Sequence, residues 1–293
     1  MDKVNLFDAI DANKRNSIFL MLVMSGMLFV SVAIVGYIIG LGYFGFAIAL
    51  FATIAYVWIA YGAGARAILA ISGAREIQDK EEPFIFNVVE GLAMAAGIPR
   101  PKIWVIEDPS MNAFATGIEP KNSHIVFTRG LLKGMTREEL EGVAAHEMSH
   151  IGNYDIRFAT LAVIMVGAIA ILGQFALRYV GFGGSRNERK GGSAYVLVIA
   201  LVFAILAPVF AELVKLASAR QGEYRAAATA AKLTRYPEGL ASALEKIKGH
   251  ATVQGVNSTT ASLYIANPLE GKFNGLFATH PAIEERVKRL RAM

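Results

Sequence analysis

The chain has 293 residues, of which 54% are hydrophobic and only 18% charged, with a net charge of +5 and no cysteine. A soluble globular domain carries about 25% charged residues. The apolar excess lies in blocks, which points to membrane spans rather than to an enlarged core. The absence of cysteine excludes disulfides, thiolate metal sites and a cysteine nucleophile. No basic patch interleaved with aromatics is present, so the positive charge reads as attraction to anionic lipid headgroups and not as nucleic-acid binding.

Residues 1–16 are polar and carry Lys3, Lys14 and Arg15, while Leu6, Phe7 and Ile10 fall at helical spacing that suits a membrane surface. Ser17 to Ala65 contains no charge. That run is too long for one span of about 20 residues. A break at Gly40-Leu41-Gly42 divides it into predicted spans near 17–39 and 43–63. Basic residues flank this hairpin on both sides, and the positive-inside rule therefore places both flanks in the cytoplasm.

The first soluble block, residues 66–156, opens with a predicted helix over 82–97. Three strand-like runs follow, Lys102–Ile106, Asn112–Gly117 and Ser123–Phe127, which predict a small sheet. In Asn112-Ala113-Phe114-Ala115-Thr116-Gly117, small residues alternate with larger ones. Such a strand, at a sheet edge, can accept a peptide as an added strand through its backbone; a plain core strand fits the pattern equally.

Thr136-Arg137-Glu138-Glu139 has the form of a capping box, and the spacing predicts a helix over 137–151 that carries His146-Glu147-Met148-Ser149-His150. Residues four apart share a helix face, so His146 and His150 can hold one zinc ion, with Glu147 placed as the general base that activates a water. The chain has only five histidines. A chance H-E-x-x-H is expected in about one such chain in a few hundred.

Phe158–Leu177 is a third uncharged run, residues 178–192 form a Gly-rich basic loop, and Ala194–Ala211 is a fourth run. Two spans here place the basic loop outside, against the positive-inside trend, but return the chain to the side of the motif helix. The second soluble block, 214–293, holds predicted helices from Glu212 to Leu233, from Pro237 to Lys248, and after Thr279-His280-Pro281; residues 251–272 show no period and read as a loop. A catalytic zinc needs a third protein ligand. Glu223 is the candidate, because the second hairpin brings its helix back to the first. Glu212 is the competitor, and Glu238 and Glu245 would need a separate element to fold back. His280 is either a further ligand or a hydrogen-bond donor to an oxyanion. His124 and His250 read as surface residues.

Together, the apolar hairpin, Asn112–Gly117, His146–His150, the second hairpin, Glu223-Tyr224 and Thr279-His280-Pro281 resemble the HtpX-type membrane zinc proteases, in order and over nearly the whole chain. The resemblance implies a mainly α membrane protein with an α+β gluzincin-like catalytic domain, and four transmembrane helices dividing the chain at 1–65, 66–156, 157–213 and 214–293. It implies a bacterial or archaeal cytoplasmic-membrane endopeptidase that cleaves damaged or misassembled membrane proteins, with one Zn2+ held by His146, His150 and Glu223 and with Glu147 as base. The partners expected are unfolded or membrane-protein substrates and lipids. Two positions depart from the family pattern: Gly222 stands where an arginine is expected, and Ala227 where an aspartate behind a ligand histidine is expected. Losing such a partner typically costs 10–100-fold in metal affinity or activity. The competing expectations are a zinc-binding membrane scaffold or holdase and, last, a protease for prenylated peptides.

Overall fold

The computed structural model describes residues 6–38, 40–182, 220–257, 259–269 and 281–293. The predicted fourth apolar run, Glu212 and His280 fall outside these residues. Helix α1 (Leu6–Ile38) is continuous, so the polar segment from Leu6 to residue 16 and the first apolar run form one helix. The break at Gly40-Leu41-Gly42 is present, with φ of +89° and +52° at Gly40 and Gly42. Glycine adopts that left-handed region without a Cβ penalty. Helix α2 (Phe44–Ile71) runs eight residues past its expected end. By length and composition, two described helices, Asn13–Tyr37 and Phe44–Ile71, can cross a membrane. Phe19, Leu22, Phe44, Phe51 and Trp58 point outward from them. The third apolar run lies in helix α6 (Asp155–Phe182), which packs against α1 and α2. Met24, Leu28, Ala162 and Met165 form the seam between them.

The sheet forms at the three predicted runs, β2 (Lys102–Ile106), β3 (Ala113–Gly117) and β4 (Ser123–Thr128), joined by a two-residue β1 (Arg75–Glu76) too short to leave a periodic signal. Its order is β1-β2-β4-β3, with β2 and β4 parallel and the other pairs antiparallel. The alternation in β3 has a packing reason. Ala113 and Ala115 face the main core, which includes helix α5 (Arg137–Gly152), and Phe114 points the other way, into a cluster with Tyr264 and the end of α2. Small side chains on one face let the sheet approach α5 closely, and the aromatic fills the other. Helix α3 (Pro83–Ala96) forms where expected and packs on α5, while the six-residue α4 (Arg129–Gly134) was not anticipated.

The second soluble block contributes α7 (Arg220–Thr234), α8 (Pro237–Ile247) and α9 (Ile283–Leu290). The last starts two residues after Pro281. The stretch read as a loop is one in its described residues, with a short turn at Ala261–Leu263, but it is packed: Tyr264, Ile265 and Ala266 are buried. Backbone pairing explains this: the Ile265 N–H donates to Ala113 O at 2.8 Å. Burial there is set by a partner 152 residues away in sequence, which no local period encodes.

Helix α5 is fixed at its start by the capping box. Thr136 Oγ1 accepts from Glu139 N, and Glu139 Oε2 accepts from Thr136 N at 2.7 Å. Glu139 also accepts from Ser242 at 2.6 Å and from Lys246 at 2.7 Å, which ties α5 to α8. The two helices cross with backbone contact: a Cβ on Gly142 would lie 2.5 Å from Leu240 N. Gly142→Ala is expected to destabilise the protein by about 1–3 kcal/mol despite the better helix propensity of alanine, because the clash is with backbone that cannot rotate away; a lowered thermal midpoint in detergent checks this.

His124 is a correction to the expected surface position. It is half-buried on β4, and its Nδ1 accepts from Trp104 Nε1 at 3.1 Å. Burial, with the positive charge of Lys102 adding to it, lowers its pKa to about 4. The unfolded chain therefore binds more protons between the ordinary histidine value and pH 4, so stability falls as pH drops through that window and levels off below it. Partial exposure limits the loss to about 2 kcal/mol. His124→Gln is expected to flatten this part of the stability-against-pH curve, measured by denaturant midpoints.

Candidate metal centre

The chain buries four ionisable groups where α5, α7 and α9 meet: His146, Glu147, Glu223 and Arg286 are each at most 5% exposed. Helical spacing places His146 and His150 one turn apart on α5. Their rings meet edge to face, and the two Nε2 atoms are 3.3 Å apart. Glu223, from α7, places one carboxylate oxygen 3.5 Å from His146 Nε2 and the other 3.5 Å from His150 Nε2. The three side chains form the cluster of metal-binding type found among the described residues. Ligand bonds of about 2.0–2.2 Å in a tetrahedral site imply ligand-to-ligand separations of roughly 3.4 Å, so the three donor atoms are spaced as zinc ligands would be. Of the competitors, Glu238 and Glu245 are instead paired with Arg291 at the surface.

The surroundings of the two imidazoles differ. His150 Nδ1 lies 2.9 Å from Asp155 Oδ2. Burial pulls the pKa of His150 down, but the hydrogen bond to Asp155 and the charges of Glu223, Asp155 and Glu147 outweigh it and raise it. His146 has no such support. Its Nδ1 is buried with no hydrogen-bond partner among the described residues, and burial, opposed by Glu223, holds it in the neutral form. Ala227, one turn past Glu223 on the same face of α7, is buried in the core shared with α5 and offers no polar atom. Gly222 faces open space, and nothing in the packing requires glycine there.

Glu147 lies beside the cluster and is 2% exposed. Burial raises its pKa to about 7; the charge of Glu223 adds to this, while His150, Arg286 and the Ala115 backbone N–H oppose it. A carboxylate near neutral pKa can both take and return a proton. Strand β3 is at the sheet edge, as expected for peptide addition, but its outward backbone is engaged. Ala113 O accepts from Ile265, Gly117 N donates to Thr160 Oγ1 at 3.1 Å, and Ala115 N–H is directed to Glu147. The Asn112 amide, fully buried, donates at 2.9 Å to both Ala251 O and Ala266 O. Asn112 and Ala113 thus clamp the 251–266 stretch in this structure.

Arg286 was missed by the sequence reading. It is 1% exposed, Nη1 donates to Ile265 O at 2.8 Å, and Nη2 lies 3.2 Å from His146 Nε2 and 3.5 Å from Glu223 Oε2. Its helix, Ile283-Glu284-Glu285-Arg286-Val287-Lys288-Arg289-Leu290, carries charges of both signs around a narrow apolar face. The available signal was position: Arg286 shares the face of Ile283, Val287 and Leu290, where a charge needs a buried partner.

The profile of "Peptidase family M48" matches residues 79–293. A "Protease HtpX homolog" of Dictyoglomus thermophilum is 51% identical over 100% of this chain and 96% of its own length. Another, from Listeria monocytogenes serotype 4a, is 42% identical over 98% of this chain and all of its own length. The crystal structure of S. mikatae Ste24p superposes with a TM-score of 0.50 at 19% identity, covering 95% of this chain and 66% of that one, a likeness of fold alone. With the family profile covering most of the sequence and full-length relatives above 40% identity, the chain belongs to peptidase family M48.

Proposed function

We propose that the protein is a membrane-anchored, zinc-dependent endopeptidase of the HtpX type acting on damaged or misassembled membrane proteins. The observation that carries this reading is the 3.3–3.5 Å spacing of the His146, His150 and Glu223 donor atoms beside a buried Glu147. In it, His146, His150 and Glu223 hold one zinc ion, which when bound supplies Lewis acidity and a more acidic water. Glu147 would act as the general base on an attacking water and return the proton to the leaving amine. Arg286 balances the two buried carboxylates. His280, outside the described residues, takes the role of a further ligand or of a hydrogen-bond donor to the developing oxyanion. Backbone addition at Ala113–Ala115 requires the 264–266 stretch to release Ala113 O.

The same reading has four membrane helices arranged as two hairpins, with soluble parts at 66–156 and 214–293 and the site facing the cytoplasm of the inner membrane. Two apolar helices and the basic flanks of the first hairpin support it. A gluzincin-like arrangement is supported by the H-E-x-x-H helix with a glutamate from a later helix. The scaffold alternative is not favoured, since the relatives are named proteases and Glu147 is in place.

Two results test this. Purified Glu147→Ala protein is expected to retain zinc and lose casein cleavage by about 10²–10⁴-fold, while Glu223→Ala loses the zinc itself; zinc in both variants, or undiminished cleavage by the first, rejects the assignment. Ala227→Asp would restore the carboxylate that the family pattern has behind a ligand histidine and is expected to tighten zinc binding about tenfold in a chelator competition. Unchanged or weaker binding would show that the missing carboxylate is not what limits affinity.

A further inference from the structure

The N-terminal membrane helix makes contact with the metal centre. Asn13, on α1, donates from Nδ2 to Asp155 Oδ1 at 2.6 Å and to Asn153 O at 2.9 Å. The other oxygen of Asp155 lies 2.9 Å from His150 Nδ1. One carboxylate thus bridges the helix that anchors the chain and a ligand imidazole. The next residue reinforces the grip: Lys14 Nζ sits 4.5 Å from the centroid of the Tyr154 ring, which also carries the Arg157 guanidinium at 5.0 Å. Tyr154 has φ of +62°, a left-handed conformation that a bulky residue holds only when its surroundings impose it. The α5–α6 turn, Asn153-Tyr154-Asp155, is therefore gripped from α1 at each of its three residues.

We infer that Asn13 is a positioning residue of the metal centre, and that the seating of α1 sets zinc affinity through the relay Asn13–Asp155–His150. A carboxylate behind a ligand histidine fixes the ring's tautomer and orientation. An aspartate held at one oxygen only can rotate about its side-chain bonds; held at both, it cannot. The dependence is sharpened here because His146 Nδ1 has no partner among the described residues, so the orientation of the imidazole pair falls on Asp155. The apolar hairpin then does more than tether the protease: displacing α1 loosens a ligand. This rests on the zinc reading above.

The test is a double-mutant cycle on the full-length protein in detergent, with zinc affinity read by chelator competition. Asp155→Ala is expected to weaken zinc by about 10–100-fold. Asn13→Ala is expected to weaken it by about 3–10-fold, the worth of one hydrogen bond, and by less than about twofold when Asp155 is already alanine. Asn16→Ala, an exposed asparagine on the same helix, should change nothing. Asn13→Leu, which keeps the branched outline and heavy-atom count but removes the donor, should match Asn13→Ala and serves if the smaller variant folds poorly. Zinc affinity unaltered by both Asn13 variants, or an equal loss in the two Asp155 backgrounds, overturns the relay while leaving the zinc site standing. Absence of zinc from the wild-type protein overturns both.

Discussion

Everything in this protein depends on confining two imidazoles and two carboxylates to one dry junction. An isolated charge is costly in such a place, and the effective penalty is several kcal/mol per ion even after relaxation. The chain meets that cost with opposite charge: Arg286 from the last helix stands within 3.5 Å of Glu223 and His146. Burial also does chemical work. It raises the Glu147 carboxyl toward neutrality and keeps His146 uncharged, the protonation state in which an imidazole can ligate a metal.

The scaffold can be understood as a set of clamps on one helix. At its start, α5 is capped by Thr136 and bound through Glu139 to Ser242 and Lys246 of α8. In the middle, Gly142 lets the α8 backbone touch it. At its end, Asp155 and Asn13 secure His150. Glu139 has two roles at once, since its carboxylate both completes the capping box and ties the two soluble blocks together. Burying it is tolerable because each oxygen has a donor.

The two departures from the family pattern carry different weight. Gly222 points to open space and affects little beyond helix propensity. Ala227 is buried and offers no polar atom where the family pattern has an aspartate, and His146 Nδ1 has no bond among the described residues. The asymmetry between a supported His150 and an unsupported His146 is a property of this chain, and it places the burden of orientation on the membrane-proximal side of the site.

The sequence alone determined what short-range rules govern. Helix α5 and its cap follow from Thr136-Arg137-Glu138-Glu139, the H-E-x-x-H pair from a spacing of four, the three main strands from alternating runs, and the hairpin turn from Gly40 and Gly42. It also named Glu223 among the carboxylates through chain order and family likeness. Only the tertiary structure decided the rest, because those features are set by residues distant in sequence. The buried Tyr264–Ala266 stretch, the half-buried His124, the engaged edge of β3, Arg286 beside His146, and Asn13 behind Asp155 each depend on a partner that no local periodicity records. Long-range hydrogen bonds and charge pairs form only when the packed fold brings distant residues within reach of one another.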